Sequence, residues 1–162
     1  MLNSQSKMTA DLNLGTTPSI RAVRTPRPCD YERMADLTRQ LGYQCRVEEI
    51  RQRLSHMQDP NQYGVFVAEL DSGQVAGWVG AFVFRAVELD SCAEVSGLVV
   101  DENARCRGIG KVLLGSAEKW AQNIGCRAIS VNCNIVRERA HGFYTANGYE
   151  LIKTQRVFRK IF

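Results

Sequence analysis

Residues 94–115 read Glu-Val-Ser-Gly-Leu-Val-Val-Asp-Glu-Asn-Ala-Arg-Cys-Arg-Gly-Ile-Gly-Lys-Val-Leu-Leu-Gly. The β-branched and apolar run that ends at Val100 predicts a strand, and the polar residues 101–103 interrupt it as a turn would. Apolar side chains then recur at helical spacing over residues 113–124, which predicts an amphipathic helix. The stretch is therefore a predicted strand, loop and helix.

The loop between this strand and helix has the composition of an anion site. Residues 105–111 read Arg-Cys-Arg-Gly-Ile-Gly-Lys. Glycines have no Cβ, so the backbone can approach a ligand closely, and the first N–H groups of a helix have no internal partner. Two arginines and a lysine add positive charge. The loop is predicted to bind an anion, and a pyrophosphate is the expected group.

Two common nucleotide-binding motifs do not fit this loop. A Walker loop needs Gly where Arg105 stands and Ser or Thr where Val112 stands. A dinucleotide fingerprint needs a third Gly at the position of Leu113. The spacing that remains is Arg-x-x-Gly-x-Gly.

That spacing resembles motif A of the GNAT superfamily of acyl-coenzyme A-dependent N-acyltransferases, written Gln/Arg-x-x-Gly-x-Gly/Ala. Residues 137–149 read Arg-Glu-Arg-Ala-His-Gly-Phe-Tyr-Thr-Ala-Asn-Gly-Tyr and are similar to a second family signature, an Ala-x-x-Phe-Tyr helix that ends in Gly-aromatic. The two motifs occur in the family's order, and the resemblance covers residues 19–162. It implies the α/β GNAT fold, in which a mixed, mostly antiparallel twisted sheet of about seven strands has helices on both faces.

The rest of the chain is divided by its patterning into a tail and one domain. Residues 1–18 have the polar composition of a flexible tail, and residues 19–162 are expected to form a single acetyltransferase domain. Two short helices are predicted before residue 60, followed by a hairpin over residues 63–85. A return strand, a helix and a terminal hairpin over residues 149–162 are expected to complete the domain.

Composition limits the partners. The net charge of +4 comes without a run of Lys or Arg, so we expect no nucleic-acid partner, and no apolar run is long enough for a membrane span. The six cysteines show neither a Cys-x-x-Cys pair nor zinc spacing, and there is no signal peptide, so we expect reduced thiols, no metal and a cytoplasmic location. A homodimer is left open.

The resemblance implies acetyl-CoA as cosubstrate and supplies a set of binding residues. The strand backbone is expected to hold the pantetheine and thioester, the loop to hold the pyrophosphate, and two residues before the last helix to lie nearby. These residues are Leu98, Val99, Val100, Arg105, Cys106, Arg107, Gly108, Ile109, Gly110, Lys111, Asn134 and Arg137.

Two of these positions depart from the family's pattern. Arg137 stands where the family commonly has Asn, so Asn134 is the nearest amide, and Arg137 is expected to reach a phosphate or the substrate. Cys106 stands where Gly is usual. If φ is positive there, a non-glycine residue costs on the order of 1 kcal/mol.

Two side chains are candidates for catalysis. Glu94 lies eleven positions before Arg105, which is the register of the catalytic Glu in the histone-acetylating branch of the family. It is the predicted base, and its alternative is a strand Glu paired with a surface cation. Tyr144 is the predicted acid beside the coenzyme sulfur, and its alternative is a buried Tyr whose hydroxyl is satisfied.

The resemblance predicts an N-acetyltransferase that acts on a primary amine of a small molecule, a peptide or a protein. The alternative is a CoA-binding sensor or partner module without catalysis. Trp78 and Phe82 are expected in the core, whereas Phe84 lies toward the loop where it could line an acceptor pocket. Cys106 is expected to be the most reactive thiol, with Cys45 as its rival and the other four cysteines buried.

Overall fold

A five-stranded sheet forms the centre of the fold. The computed structural model describes residues 19–88 and 90–162, so the predicted tail of residues 1–18 lies outside the described residues. The strands are β1 (Ile20–Arg24), β2 (Tyr63–Leu70), β3 (Val75–Phe84), β4 (Cys92–Val100) and β5 (Ile129–Val131), in the order β1-β2-β3-β4-β5. Only the β4–β5 pairing is parallel, which confirms a mixed and mostly antiparallel sheet.

Helices cover both faces of this sheet, as predicted. Helices α1 (Tyr31–Gln40) and α2 (Val47–Ser55) pack on one face, and α3 (Ile109–Asn123) and α4 (Glu138–Ala146) pack on the other. Short 3-10 turns occupy Pro28–Asp30 and Glu102–Ala104. No helix within the described ranges is long and apolar enough to cross a membrane.

Alternate residues of β3 divide the core between the two faces. Val79 and Ala81 pack with the buried stripe of α3, whereas Trp78 packs with the cluster of α1 and α2. Because successive strand residues point to opposite faces, Phe82 and Phe84 lie on the α1–α2 face with Trp78. Trp78 and Phe82 were both expected in the core, but both are half-buried: Trp78 packs against the α1–α2 cluster, and Phe82 belongs to neither core cluster.

A bulge interrupts β4 near its middle. Gly80 of β3 is opposite Gly97, but Ala81 is opposite Val95, so Ser96 is the extra residue. The Ser96 hydroxyl donates to the Gly80 carbonyl at 3.1 Å. A bulge bends its strand and increases the local twist, so the second half of β4 takes a new direction.

The prediction of about seven strands is wrong for the described chain, and so is the terminal hairpin. Residues 150–162 form neither helix nor strand and are exposed throughout. The apolar side chains of this segment led to the prediction of strands. A strand forms only where its side chains can pack against a neighbouring strand, and a local pattern does not show whether one is available. The last strand of the sheet, β5, has only three residues and offers a short edge for such pairing.

Asp101 fixes the end of β4 to α1. Its backbone N–H donates to the Ala76 carbonyl at 2.8 Å, and its buried carboxylate accepts from Arg33 and from Gln40 Nε2 at 3.1 Å. Burial by itself would raise the pKa of Asp101, but the hydrogen bonds from Gln40, the Asn103 N–H and Arg33 outweigh it and hold the pKa below its ordinary value. The loop that follows therefore starts from a fixed point.

Replacement Asp101→Ala should lower the free energy of unfolding by roughly 1–3 kcal/mol, because Arg33 and the Asn103 N–H lose their acceptor. Urea unfolding measures this change. The exposed Asp36–Arg39 pair supplies the control, and Asp36→Ala should change stability by less than about 0.5 kcal/mol. Equal losses in the two variants would contradict the role given to Asp101.

The same carboxylate predicts an acid dependence of stability. Because the folded-state pKa is depressed, its contribution should be complete above about pH 4, the ordinary aspartate pKa, and should be lost as the pH falls through the lower folded-state value. Unfolding curves of wild type and Asp101→Asn should converge in acid and separate near neutral pH. Parallel curves at every pH would show that the charge on Asp101 does not stabilise the fold.

Candidate functional site

Strands β4 and β5 separate beyond the bulge and leave a gap at the edge of β4. Their pairing ends at Val95 opposite Val131, although β4 continues to Val100. The Asp101 N–H points to β3, and consecutive strand N–H groups alternate in direction. The N–H groups of Val100 and Leu98 therefore point away from β3 and into the gap.

The loop that leaves this gap contains two residues in the left-handed region. Cys106 has φ +60° and Gly108 has φ +77°, and Cys106 is the only non-glycine residue with positive φ in the described chain. The positive φ at Cys106 meets the condition under which a non-glycine residue there costs on the order of 1 kcal/mol. The side chain of Arg105 ties the loop to the strand, because its Nε donates to the Val100 carbonyl at 3.2 Å.

Helix α3 begins directly after Gly108 with free backbone donors. Its first internal hydrogen bond runs from the Val112 N–H to the Gly108 carbonyl at 3.1 Å. The N–H groups of Ile109, Gly110 and Lys111 precede that bond and have no partner within the helix. The side chains of Arg105, Arg107 and Lys111 are exposed around this terminus, so donors and positive charge converge as an anion requires.

The two glycines of the loop have different roles. A Cβ at Gly108 would meet no atom within 4 Å, so this position opens to the space in front of the helix terminus. A Cβ at Gly110 would lie 3.3 Å from the ring of Phe143 on α4. Gly108 therefore leaves room for a ligand, and Gly110 allows α3 and α4 to pack closely.

Tyr144 projects from α4 and is half-buried. Burial raises its pKa to about 12, the nearby Cys133 thiol adds to the shift, and Arg137 opposes it. Its ring packs on Phe143 and Tyr149, with centroids 5.2 Å and 5.6 Å away. Its hydroxyl has no hydrogen-bond partner among the described residues, and its role as the acid stays a prediction.

Glu94 is held by an amide. It is half-buried on β4, directly opposite Phe82 on one side and Ser130 on the other. Asn132 Nδ2 donates to Glu94 Oε1 at 2.8 Å, and no cation of the described chain forms a salt bridge with it. Asn132 was not identified from the sequence. The available signal was that this polar residue directly follows the return strand, β5, which pairs with β4.

Asn134 and Arg137 shape the turn before α4. Asn134 Oδ1 accepts from the Val136 N–H at 3.2 Å, and its carbonyl accepts from the Arg137 N–H at 2.9 Å. Arg137 Nη2 donates to the Leu41 carbonyl at 2.8 Å, which joins α4 to the end of α1. Both residues thus have protein partners, and their contact with a cosubstrate stays a prediction.

The cysteines are arranged differently from the expectation. Cys106 is exposed, but its expected rival Cys45 is only 4% exposed and lies in the α1–α2 cluster. Of the four cysteines expected to be buried, Cys29 is exposed, and Cys92, Cys126 and Cys133 are half-buried. Cys45 is buried because the turn between α1 and α2 folds back on the core, and Cys29 is exposed because its 3-10 turn lies at the surface. No group of three or more His, Cys, Asp or Glu in residues 19–88 and 90–162 could hold a metal ion.

The amino-acid sequence is similar to one protein family and to individual acetyltransferases. The Acetyltransferase (GNAT) family matches residues 31–149. GCN5-related N-acetyltransferase 4, chloroplastic, of Arabidopsis thaliana is 43% identical over 61 residues, which are 38% of this chain and 21% of that protein. The uncharacterized N-acetyltransferase YhdJ of Bacillus subtilis is 28% identical over 115 residues, 71% of this chain and 78% of that protein.

Solved structures show the same fold. The aminoglycoside N-acetyltransferase AAC(6')-Iy in complex with CoA superposes with a TM-score of 0.78 at 19% identity, over 91% of this chain and 98% of that chain. AAC(6')-Iy in complex with the bisubstrate analog CoA-S-monomethyl-acetylneamine superposes with a TM-score of 0.75 at 21% identity, over 86% of this chain and 97% of that chain. With a family match that runs from the start of α1 to Tyr149, the chain belongs to the acetyltransferase (GNAT) family of acyl-CoA-dependent N-acetyltransferases.

Proposed function

We propose that this protein transfers an acetyl group from acetyl-CoA to a primary amine of a small molecule or a peptide, by direct attack in a ternary complex. The observation that carries the proposal is the continuity of the free N–H groups of β4 with the free N–H groups of α3. A ligand with amides at one end and a pyrophosphate at the other would bind both sets of donors, its amides on β4 and its pyrophosphate on α3. Complexes of AAC(6')-Iy with CoA and with a bisubstrate analog support CoA as the carrier.

Acetyl-CoA would be held mainly by backbone. The pyrophosphate would lie in front of Gly108 on the N–H groups of residues 109–111, with Arg105, Arg107 and Lys111 as counter-charges. The pantetheine amides would bind the edge of β4 at Leu98 and Val100, in the place that a paired strand would otherwise take.

The reaction needs a free amine, a polarised carbonyl and a stable leaving group. The amine nitrogen attacks the carbonyl carbon of the thioester, and negative charge develops on the carbonyl oxygen. One strand N–H group that donates to this oxygen stabilises the transition state by roughly 3 kcal/mol. Glu94 accepts the proton that the amine loses, directly or through water. The carbon–sulfur bond then breaks, and its electron pair goes to the sulfur.

Tyr144 would stabilise the departing thiolate. With a pKa of about 12, its hydroxyl stays protonated near neutral pH. An ordinary thiol has a pKa of about 8.5, so the tyrosine holds its proton more tightly than the thiolate would. We therefore infer that Tyr144 acts chiefly by donating a hydrogen bond to the sulfur, which strengthens as the charge develops.

Replacement Tyr144→Phe should lower kcat on the order of 10- to 100-fold and leave acetyl-CoA affinity nearly unchanged, because the bond forms only as the thiolate leaves. Steady-state kinetics with an acceptor found by free-CoA release measures kcat, and calorimetry measures affinity. Tyr149→Phe is the control, since its hydroxyl donates to Glu118 instead. Equal effects of the two changes would remove Tyr144 from the mechanism.

The pH–rate profile tests Glu94. A base must be deprotonated, so Glu94→Gln should abolish the acidic limb of kcat/KM. Asn132→Asp should move that limb to higher pH, because it removes the amide donor to Glu94 and places a like charge beside it. An acidic limb that persists in Glu94→Gln and does not move in Asn132→Asp would leave catalysis to positioning alone.

Alkylation of cysteines reports on the loop without any acceptor. Acetyl-CoA should protect Cys106 from brief iodoacetamide treatment, because the pyrophosphate would cover the loop. Cys29 is the internal control, since it is also exposed but lies in another part of the chain. Peptide mapping that shows equal protection of both thiols, or of neither, would count against this placement.

A CoA-binding module without catalysis is the alternative. It predicts the protection of Cys106 but no turnover of any amine. Acetyl-CoA binding with no CoA release across a broad acceptor screen would favour it.

A further inference from the structure

One end of the α1–α2 face of the sheet is left open around Glu94. The apolar residues of α1 and α2 cover the far end, where they pack on Val67, Trp78 and Val99. Phe82 is only half-buried, and Phe84 is 38% exposed. The aromatic side chains of Phe82 and Phe84 therefore line the opening.

The strand register places the aromatic side chains beside the carboxylate. Tyr63, Phe82 and Glu94 lie directly opposite one another on three adjacent strands, so their side chains share one face. Phe84 is two residues beyond Phe82 on the same face. Directly opposite residues have Cβ atoms about 5 Å apart, so a group bound at Glu94 lies within reach of the Phe82 ring.

The strand residues of this part of the face carry a single negative charge, while Glu88 and Asp90 lie in the exposed loop beyond Phe84, where Asp90 pairs with Arg127 at 3.1 Å. The row of opposed residues is Tyr63, Phe82, Glu94 and Ser130, and the next pair on this face is Phe84 and Cys92. Glu94 is the only carboxylate among these described strand residues. One oxygen of that carboxylate already accepts from Asn132. The strand face of the opening can therefore pair with one ammonium or amine group.

The border of the opening is cationic. Leu41 lies against Gly97, where an added Cβ would be 3.6 Å from Leu41 Cδ2, so the turn between α1 and α2 borders this face. Arg137 donates to the Leu41 carbonyl and supplies this charge, whereas the exposed Arg46 in the same turn pairs with Glu49 at 3.9 Å. A ligand with several positive charges would meet repulsion here and find one carboxylate to offset it.

We propose that the acceptor is a monoamine with a flat, apolar body, such as an arylalkylamine, and not a polycationic amino sugar or polyamine. The amine would lie at Glu94 while the ring packs on Phe82 and Phe84, with the aromatic contacts and apolar burial providing the affinity. The inference rests on the proposed transferase function and specifies its acceptor class.

The test compares kcat/KM for phenethylamine, spermidine, neamine and a lysine-containing peptide in wild type. Phenethylamine should exceed each of the others at least tenfold. Phe84→Ala should raise KM for phenethylamine about tenfold with little change in kcat, and Phe84→Leu should restore only part of the loss, since it keeps the apolar area and loses the flat ring. Phe158→Ala makes the same change at an exposed phenylalanine outside the sheet and should have no effect.

A gain of function completes the design. Phe84→Glu adds a second carboxylate to the same face and should shift preference toward spermidine. Acetylation of spermidine, neamine or the peptide at equal or higher kcat/KM than phenethylamine would overturn the acceptor class and leave the transferase proposal standing. Acetyl-CoA binding without turnover of any of the four amines would overturn the acceptor class, and the absence of CoA release across the broad acceptor screen as well would overturn the transferase.

Discussion

The separation of β4 from β5 is the constraint on which the rest of the site depends. An internal strand normally uses its N–H groups on both sides, and an unpaired donor must find water or a ligand. Here the pairing with β5 stops at Val95, so the second half of β4 keeps donors on one edge. The bulge at Ser96 turns the strand at the same point. The local geometry thus creates an edge of unpaired donors, the proposed binding edge, from residues whose side chains are mostly apolar.

The proposed recognition of the ligand by backbone would explain why the loop tolerates an unusual side chain. Cys106 adopts φ +60°, which is unfavourable for a non-glycine residue, but its N–H and carbonyl are in the positions that a glycine would give. The strain is offset locally, since Asp101 binds Arg33 and Gln40 and Arg105 binds the Val100 carbonyl. A fixed loop presents its donors without an ordering cost when a ligand binds.

The sequence predicted well the elements whose signals are local. The loop at residues 105–111 and the stripe of α3 follow from glycine spacing and helical periodicity, and both were found with small boundary errors. The terminal hairpin was not found, because strand pairing depends on an available edge that no local pattern encodes. Asn132 and Arg33 were missed for a similar reason, since their partners Glu94 and Asp101 are distant in sequence. Gly97 within a strand was a usable hint of the nearby bulge.

The central claim is that the helix terminus after Gly108 binds the pyrophosphate of acetyl-CoA, and calorimetric titration of acetyl-CoA into two matched variants tests it most directly. Gly108 and Gly73 both have positive φ, +77° and +81°, and a Cβ at either would meet no atom within 4 Å, so an aspartate strains the backbone similarly at both. Only Gly108→Asp places a negative charge where the pyrophosphate would lie. The account predicts that Gly108→Asp weakens binding at least tenfold while Gly73→Asp binds as wild type does. Unchanged affinity in Gly108→Asp, or equal losses in the two variants, would contradict it.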